Sequence, residues 1–205
     1  MSASFSRIVI TLAVLLIPQL AHAHLVSARF GEFYSGLLHP LTSLVHLVPW
    51  LAMAVFAALQ GQAAARRNLL AFPIAVAVGV LLGAALPDVI PVNAVNIASF
   101  IILGASVAFA LRVPGAIVLG LAVLFGLSHG YANGLADLPA RGQLLYVAGV
   151  VSTAYLISAL VAAFALLLRD RAAWGPVALR VFGSWIVATG VIYAGFQMMD
   201  PLGGV

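Results

Sequence analysis

The chain has 205 residues, of which 64% are hydrophobic and only 7% are charged, whereas soluble proteins carry roughly 25% charged residues. So few charges cannot cover the surface of a soluble domain, and the mean hydropathy of +1.19 predicts an integral membrane protein. The net charge of +4 does not indicate a nucleic-acid partner, because the arginines stand singly or in pairs between long apolar runs.

The N-terminus has the features of a secretory signal peptide. Arg7 precedes an apolar stretch, and the tripeptide Ala-His-Ala at 21–23 fits the A-x-A pattern of a cleavage site. We therefore predict a signal peptide over 1–23 and a membrane domain over 24–205, with an uncleaved first helix as the alternative. Cleavage leaves His24 as the first mature residue, where a free α-amine beside an imidazole is a weak candidate metal ligand.

The membrane domain is predicted to be an all-α, polytopic bundle of six transmembrane helices. Its apolar runs are each near the ~20 residues that a helix needs to cross a bilayer, and Arg, Pro or Asp residues separate them. The predicted spans are 33–59, 69–86, 92–111, 115–134, 144–168 and 177–199.

The arginines between the predicted spans indicate the orientation of the bundle. With the mature N-terminus outside, six arginines are cytoplasmic and two, Arg29 and Arg141, are periplasmic, which follows the positive-inside rule. The six are Arg66, Arg67, Arg112, Arg169, Arg171 and Arg180. We therefore expect the protein in the bacterial inner (cytoplasmic) membrane, surrounded by the lipid bilayer, with both mature termini in the periplasm.

Three histidines lie within the predicted spans: His39 and His46 in the first and His129 in the fourth. Ionisable side chains inside a membrane are costly, so they indicate function. On an unbroken helix the spacing of His39 and His46 separates them by roughly 10 Å along the axis, although Pro40 can kink or unwind that segment. Imidazole suits nickel, copper, zinc or iron, so all three are candidate metal ligands. The chain has no cysteine, which excludes thiolate ligands.

Amide side chains accompany these histidines. Asn133 follows His129 by four residues and faces the same way on a helix, while Asn93 and Asn96 open the third predicted span from the same side. Polar groups from three spans should therefore meet in the periplasmic half of the bundle, with Asn133 and Asn93 as weaker metal ligands. The alternative is that these side chains only form interhelical hydrogen bonds.

The sequence does not favour an enzyme. A rhomboid protease would need a histidine in the last span to activate Ser128, and residues 177–199 contain none. A di-iron oxygenase would need a richer cluster of histidines and carboxylates, and no Asp or Glu lies within the six predicted spans. We therefore expect no catalytic residues, and no cofactor other than a metal ion.

Three stretches of the chain carry a family resemblance. They are Ala-His-Ala-His at 21–24, His39-Pro40 followed by His46, and His-Gly-Tyr-Ala-Asn-Gly at 129–134. In this order they resemble the end of the signal, the HPxxGxDH motif and the HGxAHGxE motif of the HupE/UreJ family, small membrane proteins implicated in nickel uptake. The resemblance implies that nickel, with copper or cobalt as alternatives, binds His39, His46 and His129.

The chain departs from these motifs at acidic and histidine positions. Val45 stands in place of the motif Asp and Ser43 in place of its Gly, whereas Asn133 and Ala136 replace the second His and the Glu of the later motif. The acidic residue that the family carries before its third span is replaced near Asn93. A divalent cation in a low dielectric needs compensating negative charge, so these changes weaken the expected site.

Two main hypotheses follow for the function. The first is an inner-membrane permease that takes up a transition-metal ion. Its transport would not use ATP, because the chain has no G-x-x-x-x-G-K-[ST] motif for binding ATP. The alternative is a non-transporting membrane subunit or assembly factor that kept the scaffold, lost the metal site and packs against a partner protein or its own copies. A third hypothesis is copper handling by His24 together with Met198 and Met199.

Overall fold

The computed structural model describes residues 31–199, which form seven α-helices joined by short connections and contain no strand. The predicted signal peptide and His24 lie outside the described residues. The helices are α1 (Glu32–Thr42), α2 (Leu44–Leu59), α3 (Gln62–Ala85), α4 (Asn93–Ala108), α5 (Gly115–Ala132), α6 (Ala140–Arg171) and α7 (Gly175–Met199). The predicted all-α class is confirmed for this part of the chain.

Four of the helices, α3, α5, α6 and α7, are long and apolar enough to cross a membrane. A fifth candidate span arises if α1 and α2, which meet at an angle of 76°, are counted as one broken span. The remaining helix, α4, is apolar but has only 16 residues. The chain is therefore a membrane protein with four or five candidate spans and one shorter apolar helix among its described residues.

The predicted first span, 33–59, is two helices rather than one. Ser43 has extended backbone angles, φ −100° and ψ 105°, and the chain turns there. Pro40 lacks the N–H that would continue the helical hydrogen bonds. The hydroxyl of Thr42 donates to the Leu38 carbonyl at 3.1 Å, and such side-chain bonds to the preceding turn tend to bend helices.

The second of these helices, α2, lies at the centre of the bundle. It contacts each of the other six described helices, and every residue of 52–59 is buried. A helix that is apolar on all sides belongs inside a protein. The outer helices instead present large apolar side chains such as Leu160 and Trp185 to their surroundings, which suits contact with lipid.

Three pairs of outer helices pack closely through glycine: α3 with α5, α1 with α6, and α4 with α7. A methyl group on Gly79, for example, would overlap the carbonyl oxygen of Leu127. Small residues of this kind let membrane helices approach each other closely. The glycines that face a partner backbone in these pairs include Gly79 and Gly83, Gly36 and Gly149, and Gly104 and Gly183.

Arginine side chains cap helix C-termini at one end of the bundle. Arg112 donates a hydrogen bond to the carbonyl of Leu59, and Arg169 donates to the carbonyl of Ala58 at 2.9 Å. Arg180 donates to the carbonyl of the last residue of α4 at 2.9 Å. Cations near helix C-termini are stabilised by the helix dipole. These three arginines, all predicted to be cytoplasmic, therefore lie at the same end of the bundle.

Candidate functional site

Two of the candidate histidines meet inside the bundle. His46 lies in the first turn of α2 and His129 in the last turn of α5. Their Nδ1 atoms are 3.1 Å apart, and their ring planes are inclined by 81°. His129 is 0% exposed and His46 is 6% exposed. The two imidazoles therefore form a buried contact between helices that are distant in sequence.

His39 lies beside this pair because of the bend between α1 and α2. Its ring centroid is 5.9 Å from that of His46, and its side chain is half-buried. The separation of roughly 10 Å that an unbroken helix would give does not apply, since the chain changes direction at Ser43 between the two residues. The bend brings together two rings that a straight helix would hold about two turns apart.

Ser99 of α4 contacts the other nitrogen of His129. Its Oγ lies 2.9 Å from Nε2 of His129 and donates a hydrogen bond to the carbonyl of Asn96 at 2.6 Å. Ser99 was not among the residues predicted from the sequence. The available signal was its position three residues after Asn96 and six after Asn93, which places all three on one side of a helix.

Residues next to the histidine pair carry buried polar atoms that have no protein partner. The Nδ2 group of Asn133 donates to the His129 carbonyl at 2.7 Å, but the Oδ1 atom of Asn133 is buried without a protein partner. Two more atoms are buried without a protein partner: the Oδ1 atom of Asn96 and the indole nitrogen of Trp50. The ring centroid of Trp50 is 6.4 Å from that of His46. Such atoms ordinarily find a partner, so the site has unused hydrogen-bonding or ligand capacity.

Asn93 lies apart from the histidines. It is exposed and lines an open cleft of about 320 Å³ together with Asp88 and Tyr131. The phenol oxygen of Tyr131 accepts hydrogen bonds from the backbone N–H groups of Val89 and Ile90, both at 3.0 Å. The structure thus places Asn93 in the cleft wall at this end of the bundle, while Asn133 and Asn96 adjoin the buried pair.

The three histidines make two consecutive ring contacts, here called the histidine line, rather than one cluster. The ring centroids of His46 and His129 are 5.4 Å apart, and those of His39 and His46 are 5.9 Å apart. Between residues 31 and 199, no three His, Asp or Glu side chains come together in a way that could hold a metal ion. The arrangement offers two consecutive imidazole pairs instead of one site with three histidines.

The methionines of the copper hypothesis lie at the end of α7. Met198 and Met199 are 83% and 82% exposed, and the histidine with which they were paired, His24, lies outside the described residues. Within those residues, the methionines are therefore accessible side chains at a helix end and take no part in the buried histidine line.

The fold and the buried histidine line define a small polytopic α-helical membrane protein with polar groups in its interior. A family model described as HupE / UreJ protein matches residues 12–193. The protein named Protein HupE from Rhizobium leguminosarum bv. viciae is 34% identical over 193 residues, which covers 91% of this chain and 96% of that protein. The chain therefore belongs to the HupE/UreJ family. No solved structure matches it.

Proposed function

We propose that this protein is a permease that carries a transition-metal ion, with nickel as the first candidate and copper or cobalt as alternatives, across the inner membrane. The observation that carries the proposal is the buried contact between His46 and His129, beside the unpartnered amide oxygens of Asn96 and Asn133. Buried polar groups without partners cost free energy. Their presence inside an apolar bundle of the HupE/UreJ family favours a role in binding an ion.

The exposure of the histidines suggests the order in which an ion meets them. His39 is half-buried, His46 is 6% exposed and His129 is 0% exposed. An ion that enters beside His39 would pass to the pair formed by His39 and His46, and then to the pair formed by His46 and His129. Each step exchanges one imidazole for another, which keeps the ion coordinated during its dehydration.

The donor set of this line is uncharged. Imidazoles and amide oxygens can bind a divalent cation, but they do not compensate its charge in a low dielectric. Val45 and Ala136, which stand where the family motifs have acids, leave the site without such compensation. Weak binding of this kind suits the passage of an ion better than its storage.

We further propose six spans behind a cleaved signal peptide of 23 residues, with α1 and α2 as one broken span and α4 as a short span. In this topology both mature termini are periplasmic. The arginine caps on α2 and α4 support the grouping of the predicted cytoplasmic arginines at one end of the bundle. The positive-inside rule then assigns that end to the cytoplasm.

Metal affinity of the detergent-purified protein tests the proposal. We expect stoichiometric binding of nickel, cobalt or copper, and a loss of about tenfold or more in affinity in His46→Gln and in His129→Gln. Asn68→Ala is the matched control, because Asn68 is also a buried amide whose side chain has no partner. It adjoins Gly115 and Val118, and Val118 lies about 16 Å along α5 from His129. The proposal fails if the wild type binds no ion above background or if the control loses affinity equally.

A non-transporting membrane subunit remains the second candidate function. It is favoured by the observation that, within residues 31–199, no three His, Asp or Glu side chains come together in a way that could hold a metal ion. In that role the histidine pair only joins α2 to α5 by a hydrogen bond. A partner that co-purifies stoichiometrically with metal-free protein, together with unchanged complex formation in His129→Gln, would favour this candidate over the permease.

A further inference from the structure

The hydrogen bonds around His129 determine which of its ring nitrogens carries the proton. The Oγ atom of Ser99 is 2.6 Å from the carbonyl oxygen of Asn96 and 2.9 Å from Nε2 of His129. A carbonyl oxygen only accepts hydrogen bonds, and a serine hydroxyl has only one proton to donate. That proton therefore goes to Asn96, and the second contact is a hydrogen bond only if His129 donates it from Nε2.

The same reasoning extends to His46. A charged imidazolium is costly in an apolar interior, and a neutral imidazole has one N–H and one bare nitrogen. With its N–H at Nε2, His129 presents the lone pair of Nδ1 to His46. The contact of 3.1 Å between the two Nδ1 atoms is then a hydrogen bond that His46 donates. One chain of bonds runs from His46 through His129 and Ser99 to Asn96.

We infer that Ser99 is a positioning residue, which directs the Nδ1 lone pair of His129 toward His46, and that the metal ion binds between the two Nδ1 atoms. This inference rests on the proposed function. Two nitrogens at bond lengths of about 2.0–2.1 Å from a tetrahedral ion lie about 3.3 Å apart. The observed separation of 3.1 Å is close to that value, so the rings need to tilt until both lone pairs point at the ion, with little change in the distance between the two nitrogens.

Binding of the ion changes the tautomer of His46 but not its charge. The ion needs the lone pair of Nδ1 of His46, so the proton on that atom moves to Nε2 of the same ring by exchange. His129 keeps its N–H at Nε2, where Ser99 accepts it, and its Nδ1 lone pair is already in place. A hydrogen-bond acceptor at the ring nitrogen that does not bind the ion fixes the orientation and tautomer of a ligating histidine.

Ser106 provides a matched control on the same helix. It is 7% exposed, and its hydroxyl donates to the carbonyl of Ile102 at 2.7 Å, much as the hydroxyl of Ser99 donates to Asn96. Ser106 has no histidine contact. A comparison of Ser99→Ala with Ser106→Ala therefore separates the effect on His129 from the general effect of removing a helical serine hydroxyl.

The first test measures the tautomer in metal-free protein. Nitrogen-15 NMR of labelled histidine distinguishes N–H nitrogens from bare ring nitrogens, and His129→Gln identifies the signals of His129. We expect the N–H at Nε2 in the wild type and in Ser106→Ala, and a loss of that preference in Ser99→Ala. A wild-type His129 that carries its N–H at Nδ1 would overturn the inference, whether or not the protein binds a metal ion.

The second test measures nickel and cobalt affinity in the same variants. We expect Ser99→Ala to bind these ions about 10–100-fold more weakly than the wild type. Ser99→Thr keeps the hydroxyl and should regain most of the affinity. Ser106→Ala should match the wild type. Unchanged affinity in Ser99→Ala overturns the positioning role. A wild type that binds no metal, yet has the expected tautomer, overturns the proposed function and the ion site while it supports the hydrogen-bond assignment.

Discussion

His129 has both of its ring nitrogens in contact with other side chains and no exposure to solvent. Nδ1 contacts His46 and Nε2 contacts Ser99, and the following turn is held by the bond from Asn133 to the His129 carbonyl. Removal of one partner in such a buried network leaves another group unsatisfied, at a cost of about 1–3 kcal/mol. A substitution at His129 should therefore affect stability as well as any bound ion.

Asn133 is the position at which one substitution can add a ligand. Asn133→His supplies a second imidazole four residues after His129, on the same side of α5, as in the family motif. We expect nickel to bind about tenfold more tightly than to the wild type, equivalent to ~1.4 kcal/mol. Isothermal titration of the purified protein measures this change. Asn68→His, which replaces a buried amide of α3 beside the other end of α5, should leave the affinity unchanged.

The bend between α1 and α2 shows what the sequence could and could not predict about an element. The length of the apolar run 33–59 and the presence of Pro40 predicted a helix with a weak point. The position and size of the bend depend on the bonds that Thr42 makes and on the packing of α1 against α6. The sequence of a single apolar segment does not show how that segment packs against helices that are distant in the chain.

The contact of Ser99 with His129 was missed for a related reason. A helix that is apolar on most of its sides gives little periodic signal for which side meets its neighbours. Asn93 and Asn96 indicated the end of α4 at which polar groups gather; Asn96 contacts Ser99 there, whereas Asn93 lines the open cleft. The rotation of α4 that brings Ser99 rather than Asn93 to His129 is set by its packing against α7 and α2.

Close packing of α3 against α5 makes the stability sensitive to single methyl groups. In Gly79→Ala the new methyl overlaps the Leu127 carbonyl, so the helices must separate, and we expect a loss of about 1–3 kcal/mol in the free energy of unfolding. Thermal or denaturant unfolding in detergent measures it. Gly120→Ala on α5 is the control, since nothing lies within 4 Å of its added methyl. Equal losses in both variants would contradict the packing argument.

At the scale of the whole molecule, arginines are more numerous at one end of the bundle than at the other. Arg112, Arg169 and Arg180 cap helices at one end, whereas the exposed loop around Asp137 joins α5 to α6 at the other. Cytoplasmic loops of membrane proteins carry an excess of basic residues. This distribution supports the proposed orientation, in which an ion reaches the histidines from the periplasm.

Single cysteines test this orientation, because the chain has none of its own. In Asp137→Cys, an impermeant thiol reagent should label right-side-out vesicles, since the exposed loop faces the periplasm in the proposed topology. In Arg171→Cys, which is exposed at the arginine-capped end, the same reagent should label inside-out vesicles only. The reverse pattern would contradict the proposed orientation, and the cysteine-free parent protein controls for background labelling.

In the proposed permease, the packing of the central helix α2 would limit the speed of transport. Residues 52–59 follow His46 toward the arginine-capped end, and all of them are buried among the other helices. An ion at the histidine pair can leave in that direction only when this packing opens, and collective motions of helices take microseconds to milliseconds. Each opening releases the ions already bound, so flux should saturate with metal concentration. Planar bilayers that contain the protein should accordingly show no unitary currents.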